Sequence, residues 1–184
     1  MDQIIYFDEY SDAASSIELA SYLSESVDTH PHNWKWLMIS IHNSLQAFMV
    51  LSLMESGKGV LRSKNQRHLE NGNLDSIKWL YQRLKNPDIC CYMDSVTLPD
   101  CKKTSDSIGR IIDIRNQFIH FMPRLQGESL LEYYEVTINC SEVLLFLFFE
   151  SRRMHMPNEK KKLIEYALIK LNENLKNQYE SISS

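Results

Sequence analysis

Arg115, Asn116 and His120 combine a permanent cation, a carboxamide and an imidazole within the segment Asp113-Ile114-Arg115-Asn116-Gln117-Phe118-Ile119-His120-Phe121-Met122-Pro123. An imidazole can take or give a proton near neutral pH, and a guanidinium offers a fork of donors to an anion or to charge that grows in a transition state. A carboxamide one helical turn before an imidazole can fix its tautomer or bind an anion oxygen. At about 100° per residue, Asn116 and His120 share a helix face, Asp113 lies on nearly the same face, and Arg115 is about 140° round from His120. Arg115 must therefore reach around with its long side chain or meet a partner across an interface. The same residues also suit a helix C-terminus, where Arg115 and His120 favour the negative pole and Asp113 pairs locally.

Helices are the elements available to position this cluster. A first helix is expected from about Asp8 to Val27, with Ile17, Ala20, Leu23 and Val27 at helical spacing. A second runs from Trp34 to about Glu55, where Trp34, Leu37, Met38, Ile41, Leu45, Phe48 and Met49 make one stripe, Asn33 is the expected N-cap and Ser56-Gly57 ends the run. His42 and Asn43 lie inside it, either facing the motif helix as support for His120 or on a partly exposed face. Gly57 to Asn73 reads as a long exposed basic loop, Asp75 to Lys85 as a short helix stopped by Asn86-Pro87, and the stretch to Lys103 as irregular. The motif helix is expected from Thr104 or Ser105 to about Phe121, with Ile108, Ile111, Ile112, Ile119 and Met122 on one side and Pro123 closing it. Ser129 to about Arg153 is apolar nearly all round and reads as a buried helix, although Glu132 to Cys140, with Tyr133, Tyr134, Val136, Thr137 and Ile138, also suits a strand. Pro157 opens a last amphipathic helix to about Tyr179, with Leu163, Tyr166, Ala167, Ile169 and Leu171 facing inward. The sum is an all-α, single-domain bundle of five or six helices over residues 1–184, with a core at about 34–153 and a C-terminal helix at about 157–179.

The run Arg115-Asn116-x-x-x-His120 resembles the R-x4-6-H motif of the HEPN superfamily (higher eukaryotes and prokaryotes nucleotide-binding), in which a polar residue, often Asn, directly follows the Arg. The order of elements is also similar: a long helix near the start of the domain, the motif at the end of a later helix, then a long apolar helix, together covering roughly Trp34 to Arg153. The resemblance implies a metal-independent endoribonuclease acting as a homodimer, with the motif of each subunit facing its twin across a cleft. It further implies a place in toxin-antitoxin or phage-defence systems, with an antitoxin or regulatory protein as partner. On that reading His120 exchanges a proton with a ribose 2'-hydroxyl or the leaving 5'-oxygen, and Arg115 meets the phosphate charge. Asn116 steadies the imidazole or a phosphate oxygen, and the products are a 2',3'-cyclic phosphate and a 5'-hydroxyl. The alternative is a non-catalytic module of the same kind that binds nucleotide, nucleic acid or a protein. Arg62 and His68 have a similar spacing but fall in the expected loop, with Ser63 rather than Asn after the Arg.

Composition narrows the field further. A formal charge of -4 and a pI near 5.9 give no global attraction for RNA or an anionic membrane, so an RNA partner needs a local basic field. Arg124, Arg152, Arg153 and Lys160, with His155, Lys161 and Lys162, are the basic positions available, as is the Lys58 to Arg67 loop; a solvated helix face is the competing account. Four cysteines without a C-x-x-C pair read as reduced thiols, and an N-terminus carrying Asp2, Asp8 and Glu9 does not resemble a secretory signal, so a cytoplasmic protein is expected. The longest apolar run, Val143 to Phe149, is 7 residues against the roughly 20 that span a bilayer. His30 and His32 lack further ligands at a supporting spacing, and neither a metal nor another cofactor is expected. Trp34, Trp36 and Trp79 read as core and interface anchors. Gly-rich phosphate loops, G-x-S-x-G and H-E-x-x-H are absent.

Overall fold

The computed structural model describes residues 4, 8–54, 58–66, 72–120, 127, 129–151 and 156–183, and within them every regular element is helical. Six helices of eight residues or more form the bundle: α1 (Glu9–Ser24), α2 (Asn33–Met54), α4 (Ile77–Leu84), α6 (Lys102–Ile119), α7 (Leu130–Phe149) and α8 (Asn158–Ser183). Two short ones, α3 (Lys58–Leu61) and α5 (Pro87–Tyr92), sit in the connections. Helix α2 is the axis. It packs against α1, α4, α6 and α7, while α8 closes the outside of α1 and α7.

Central position explains the composition of α2. It is apolar enough over 18 or more residues to resemble a membrane span, yet 67% of that stretch is buried against its neighbours. Leu37, Ile41, Leu45 and Phe48 are fully buried, each worth about 1.5–3 kcal/mol of removed apolar surface. Ser40 and Ser44, also buried, donate their hydroxyls to the carbonyls of Trp36 and Ser40, at 2.8 and 2.9 Å, which satisfies both inside the core. The expected N-cap Asn33 is instead the first helical residue, and its Nδ2 donates to Ser26 Oγ at 2.8 Å, tying the α1–α2 turn shut. Helix α1 starts on Asp8, whose carboxylate accepts from Ser11 N at 2.6 Å.

Residues 132–140 are helical, within α7. Tyr134, Thr137, Ser141, Leu144 and Phe148 are all buried at helical spacing, so burial on one face overrides the β-branched and aromatic propensity. Thr137 fits because its hydroxyl donates to Tyr133 O at 2.8 Å. Helix α7 is not apolar all round, since Glu132, Glu135, Asn139 and Glu142 form a polar stripe at helical spacing.

The described residues of the segment expected as a long exposed basic loop are anchored. Arg62 and Leu74 form an antiparallel bridge, Asp75 N donates to Leu61 O at 2.9 Å, and a 3-10 turn spans Lys64–Gln66. The anchor is Arg83 of α4, buried at 8% exposure, which donates to Val60 O at 2.5 Å, to Arg62 O at 3.1 Å and to the Asp75 carboxylate. Pro87 ends α4 as expected but opens α5, with Asn86 Oδ1 accepting from Asp88 N at 2.9 Å.

Two helix faces differ from the expectation. In α8 the buried stripe is Ile164, Ala167, Leu168, Leu171 and Leu175, while Leu163, Tyr166 and Ile169 lie on the exposed side. Trp36 and Trp79 are 54% and 58% exposed, and Trp34 alone of the tryptophans is core, packed edge-on against Tyr134 at 4.7 Å.

Candidate functional site

Helix α6 starts at Lys102, with Cys101 as its N-cap in place of Thr104 or Ser105, and its buried face is made by Ser107, Ile108, Ile111 and Ile114. Ile119, expected inside, is exposed, and Met122 and Pro123 lie outside the described residues. This facing decides where the motif residues go. Taking the buried residues as the centre, Arg115 lies about 50° away and His120 about 170° away round the helix.

Arg115 is accordingly only partly exposed. Its Nη1 donates to Asn116 Oδ1 at 3.0 Å, and its Nε is buried with no hydrogen-bond partner. No carboxylate among the described residues pairs with it. The neighbouring charges are spent elsewhere: Arg110, one turn and a half earlier, pairs with Glu132 of α7 at 2.6 Å. Arg115 thus keeps its positive charge uncancelled.

On the facing helix stands His42, 7% exposed. Burial, reinforced by the positive charge of Arg115, pulls its pKa down to about 4, with a contact between Nδ1 and Asn43 Oδ1 at 3.5 Å opposing the shift in part. His42 is therefore neutral at physiological pH. The structure brings Arg115 and Asn116 together, and the Arg115 charge is felt at His42.

His120 does not join them within one chain. It is the C-cap of α6, exposed, with its backbone N–H donating to Asn116 O at 3.0 Å. Asp113 is exposed as well and lines a shallow groove between α4 and α6 with Lys78, Gln82 and Arg110. The carboxylate therefore lies well away from the guanidinium. A reaction needing both Arg115 and His120 at one phosphate would draw them from two copies of the chain, or from a substrate wrapping the helix end.

Of the basic positions, Arg124, Arg152 and Arg153 lie outside the described residues. Lys160 is committed inside the fold: its Nζ donates to Asp8 Oδ1 at 3.1 Å and to Ser11 Oγ, bracing the start of α1. The cap bond from Ser11 N, with that pairing to Lys160, holds the Asp8 carboxyl down at about 2. His30 is exposed and shares a hydrogen bond with Thr29 Oγ1 at 2.9 Å. Among the described residues no group of three or more His, Cys, Asp and Glu side chains could hold a metal ion.

A groove of about 670 Å³ lies between α6, α7 and α8, lined by Arg110, Glu132, Glu135, Asn139, Lys176 and Tyr179 among others. Sequence reading gave it no role. The available signal was the polar stripe of α7, hidden by the aromatic and aliphatic residues around it. No family model, curated protein or solved structure matches the chain.

Proposed function

We propose that this protein is a metal-independent endoribonuclease of HEPN type, cytoplasmic and active as a homodimer, that cuts RNA through the ribose 2'-hydroxyl. The observation that carries the reading is Arg115: a partly buried guanidinium, steadied by Asn116, whose charge no carboxylate among the described residues cancels. A structural arginine is ordinarily paired, as Arg83 is with Asp75, and an unpaired one near a surface awaits an anion. His120, exposed at the end of the same helix, is accessible for proton exchange. The roughly 140° between the two side chains supports a dimer, because a twofold pairing of α6 ends brings the Arg115 of one copy toward the His120 of the other.

In this scheme His120 takes the 2'-hydroxyl proton as the oxygen attacks phosphorus, and the imidazolium gives it to the 5'-oxygen as the bond from phosphorus to that oxygen breaks. Arg115 and Asn116 hold the non-bridging oxygens as their charge grows. RNA ends as a 2',3'-cyclic phosphate and a 5'-hydroxyl, and DNA, lacking the nucleophile, is not cut. A growth-arresting toxin or antiviral effector held silent by an antitoxin or regulatory protein is the biological role that suits such an activity. The test is cleavage of RNA in chelator by wild type and by Arg115→Ala and His120→Ala: loss in both variants with the fold intact supports the reading, and unchanged cleavage in either sinks it.

The separation of Arg115 from His120 within one chain also favours a second reading, a non-catalytic module that binds nucleotide, nucleic acid or a protein partner through Arg115 alone. It predicts no turnover by wild type and weakened binding in Arg115→Ala but not in His120→Ala.

A further inference from the structure

Trp79 and Gln82 face outward three residues apart on α4, and with Asn86, just past the end of that helix, they line a pocket of about 380 Å³. That volume falls within the roughly 300–1,000 Å³ of small-ligand sites. Asp75, Arg83 and Ile89 also line it, so the Arg83 donations to Val60 O, Arg62 O and Asp75 fix one of its walls. Trp79 is 58% exposed, and among the described residues no ring or cation lies over it, whereas Lys35 Nζ covers Trp36 at 5.1 Å from the ring centroid. Gln82 makes no hydrogen bond among the described residues. Asn86 Oδ1 accepts from Asp88 N at 2.9 Å, and its Nδ2 donors are unused among the same residues.

We propose that this pocket is a nucleobase subsite: an unpaired base of single-stranded RNA stacks on the indole of Trp79 while the carboxamides of Gln82 and Asn86 hydrogen-bond to its edge. The inference rests on RNA being the substrate, as proposed above. An open indole face is a platform on which any base can stack. Gln82 has both a donor and an acceptor to give, the pair that meets N6 and N7 of adenine, and Asn86, its oxygen committed to the α5 cap, adds a donor for a ring nitrogen. The electrostatics select the same part of the ligand. Arg83 and Asp75 cancel one another, leaving no guanidinium free for a phosphate, so the base enters and the backbone stays outside. Gln82 also lines the groove between α4 and α6, together with Lys78, so the pocket adjoins the helix that bears Arg115.

The probe is a short end-labelled strand of 2'-O-methyl adenosine, whose blocked 2'-oxygen prevents cleavage, and the control is an abasic strand of the same length and charge. Fluorescence anisotropy with the full chain, at one salt concentration, reads both affinities. Wild type is expected to hold the adenosine strand about tenfold more tightly than the abasic one, Trp79→Ala to lose that tenfold, and Trp79→Phe, which restores a ring, to keep most of it. Gln82→Ala, which leaves the platform in place, is expected to lower affinity for the adenosine strand and not for the abasic one. Equal binding of the two strands by wild type, an adenosine affinity indifferent to Trp79→Ala, or no binding of either strand overturns the proposal. The two readings fail separately: a wild type that holds the strand through Trp79 but cuts no RNA refutes the nuclease alone, and one that cuts RNA yet binds both strands equally refutes the subsite alone.

Discussion

Replacing Arg83 by methionine probes the anchoring of the 58–75 segment. Arg83 makes three donations, to Val60 O, Arg62 O and Asp75, from a side chain 9% exposed, facing an Asp75 side chain 10% exposed. Methionine fills the aliphatic volume but leaves the Asp75 carboxylate with the Ser76 N–H, at 3.0 Å, as its remaining partner. Removing one partner of a buried ion pair costs about 3–5 kcal/mol because a charge is stranded. Each orphaned carbonyl would cost about 1–3 kcal/mol if it stayed dry, but the backbone that carries them can shift toward water once the anchor is gone, so the terms do not sum. The expected loss is therefore about 3–5 kcal/mol, which for a domain of this size lowers the melting temperature by about 6–20 °C. Thermal and urea denaturation followed by circular dichroism measure it, and limited proteolysis should show new cuts between residues 58 and 75. Adding Asp75→Asn to remove the stranded charge should recover about 1 kcal/mol or more. A loss below about 1 kcal/mol for Arg83→Met would refute the reasoning, placing the pair among exposed ion pairs of little consequence.

Two further outcomes follow from burial and backbone geometry. His42 should titrate near pH 4 in a proton-detected NMR series; because its folded pKa lies below that of the unfolded chain, stability is full above about pH 6.5, falls as pH drops toward 4 and then levels, by at most about 3 kcal/mol. A His42 midpoint above 6 would contradict the burial and the nearby charge. Gly109→Ala should stabilise the protein by about 0.5–1 kcal/mol, since a Cβ there meets nothing within 4 Å and the position is inside α6, and a destabilised variant in urea titration would contradict that account.

The long helices were legible because their apolar residues recur at one spacing and one polarity: α2 from Trp34 to Met49 needs only the 3.6-residue period to be recognised. The face of α8 was harder to read. Leu163, Tyr166 and Ile169 make an apolar stripe of their own beside the buried one, and which of the two faces inward depends on α1 and α7, which periodicity along a single helix does not contain. The anchored segment was misread for the opposite reason. Arg83 is buried through partners that are the backbone carbonyls of Val60 and Arg62 and the carboxylate of Asp75, so residue type pointed outward while hydrogen bonding held it in. Similarly, the wheel alone gave the roughly 140° between Arg115 and His120, but not which of them faces the core. That required knowing that Ile114 is buried, which leaves Arg115 partly buried and His120 on the exposed side.

The central claim is tested most directly by incubating a mixed RNA with purified wild type and with His120→Ala, in excess chelator, and identifying the product ends by mass spectrometry. The account predicts 2',3'-cyclic phosphate and 5'-hydroxyl ends from wild type, none from His120→Ala, and a variant whose stability stays within about 0.5 kcal/mol of wild type because His120 is exposed at a helix end. RNA left whole by wild type, or cut equally by both proteins, would contradict it.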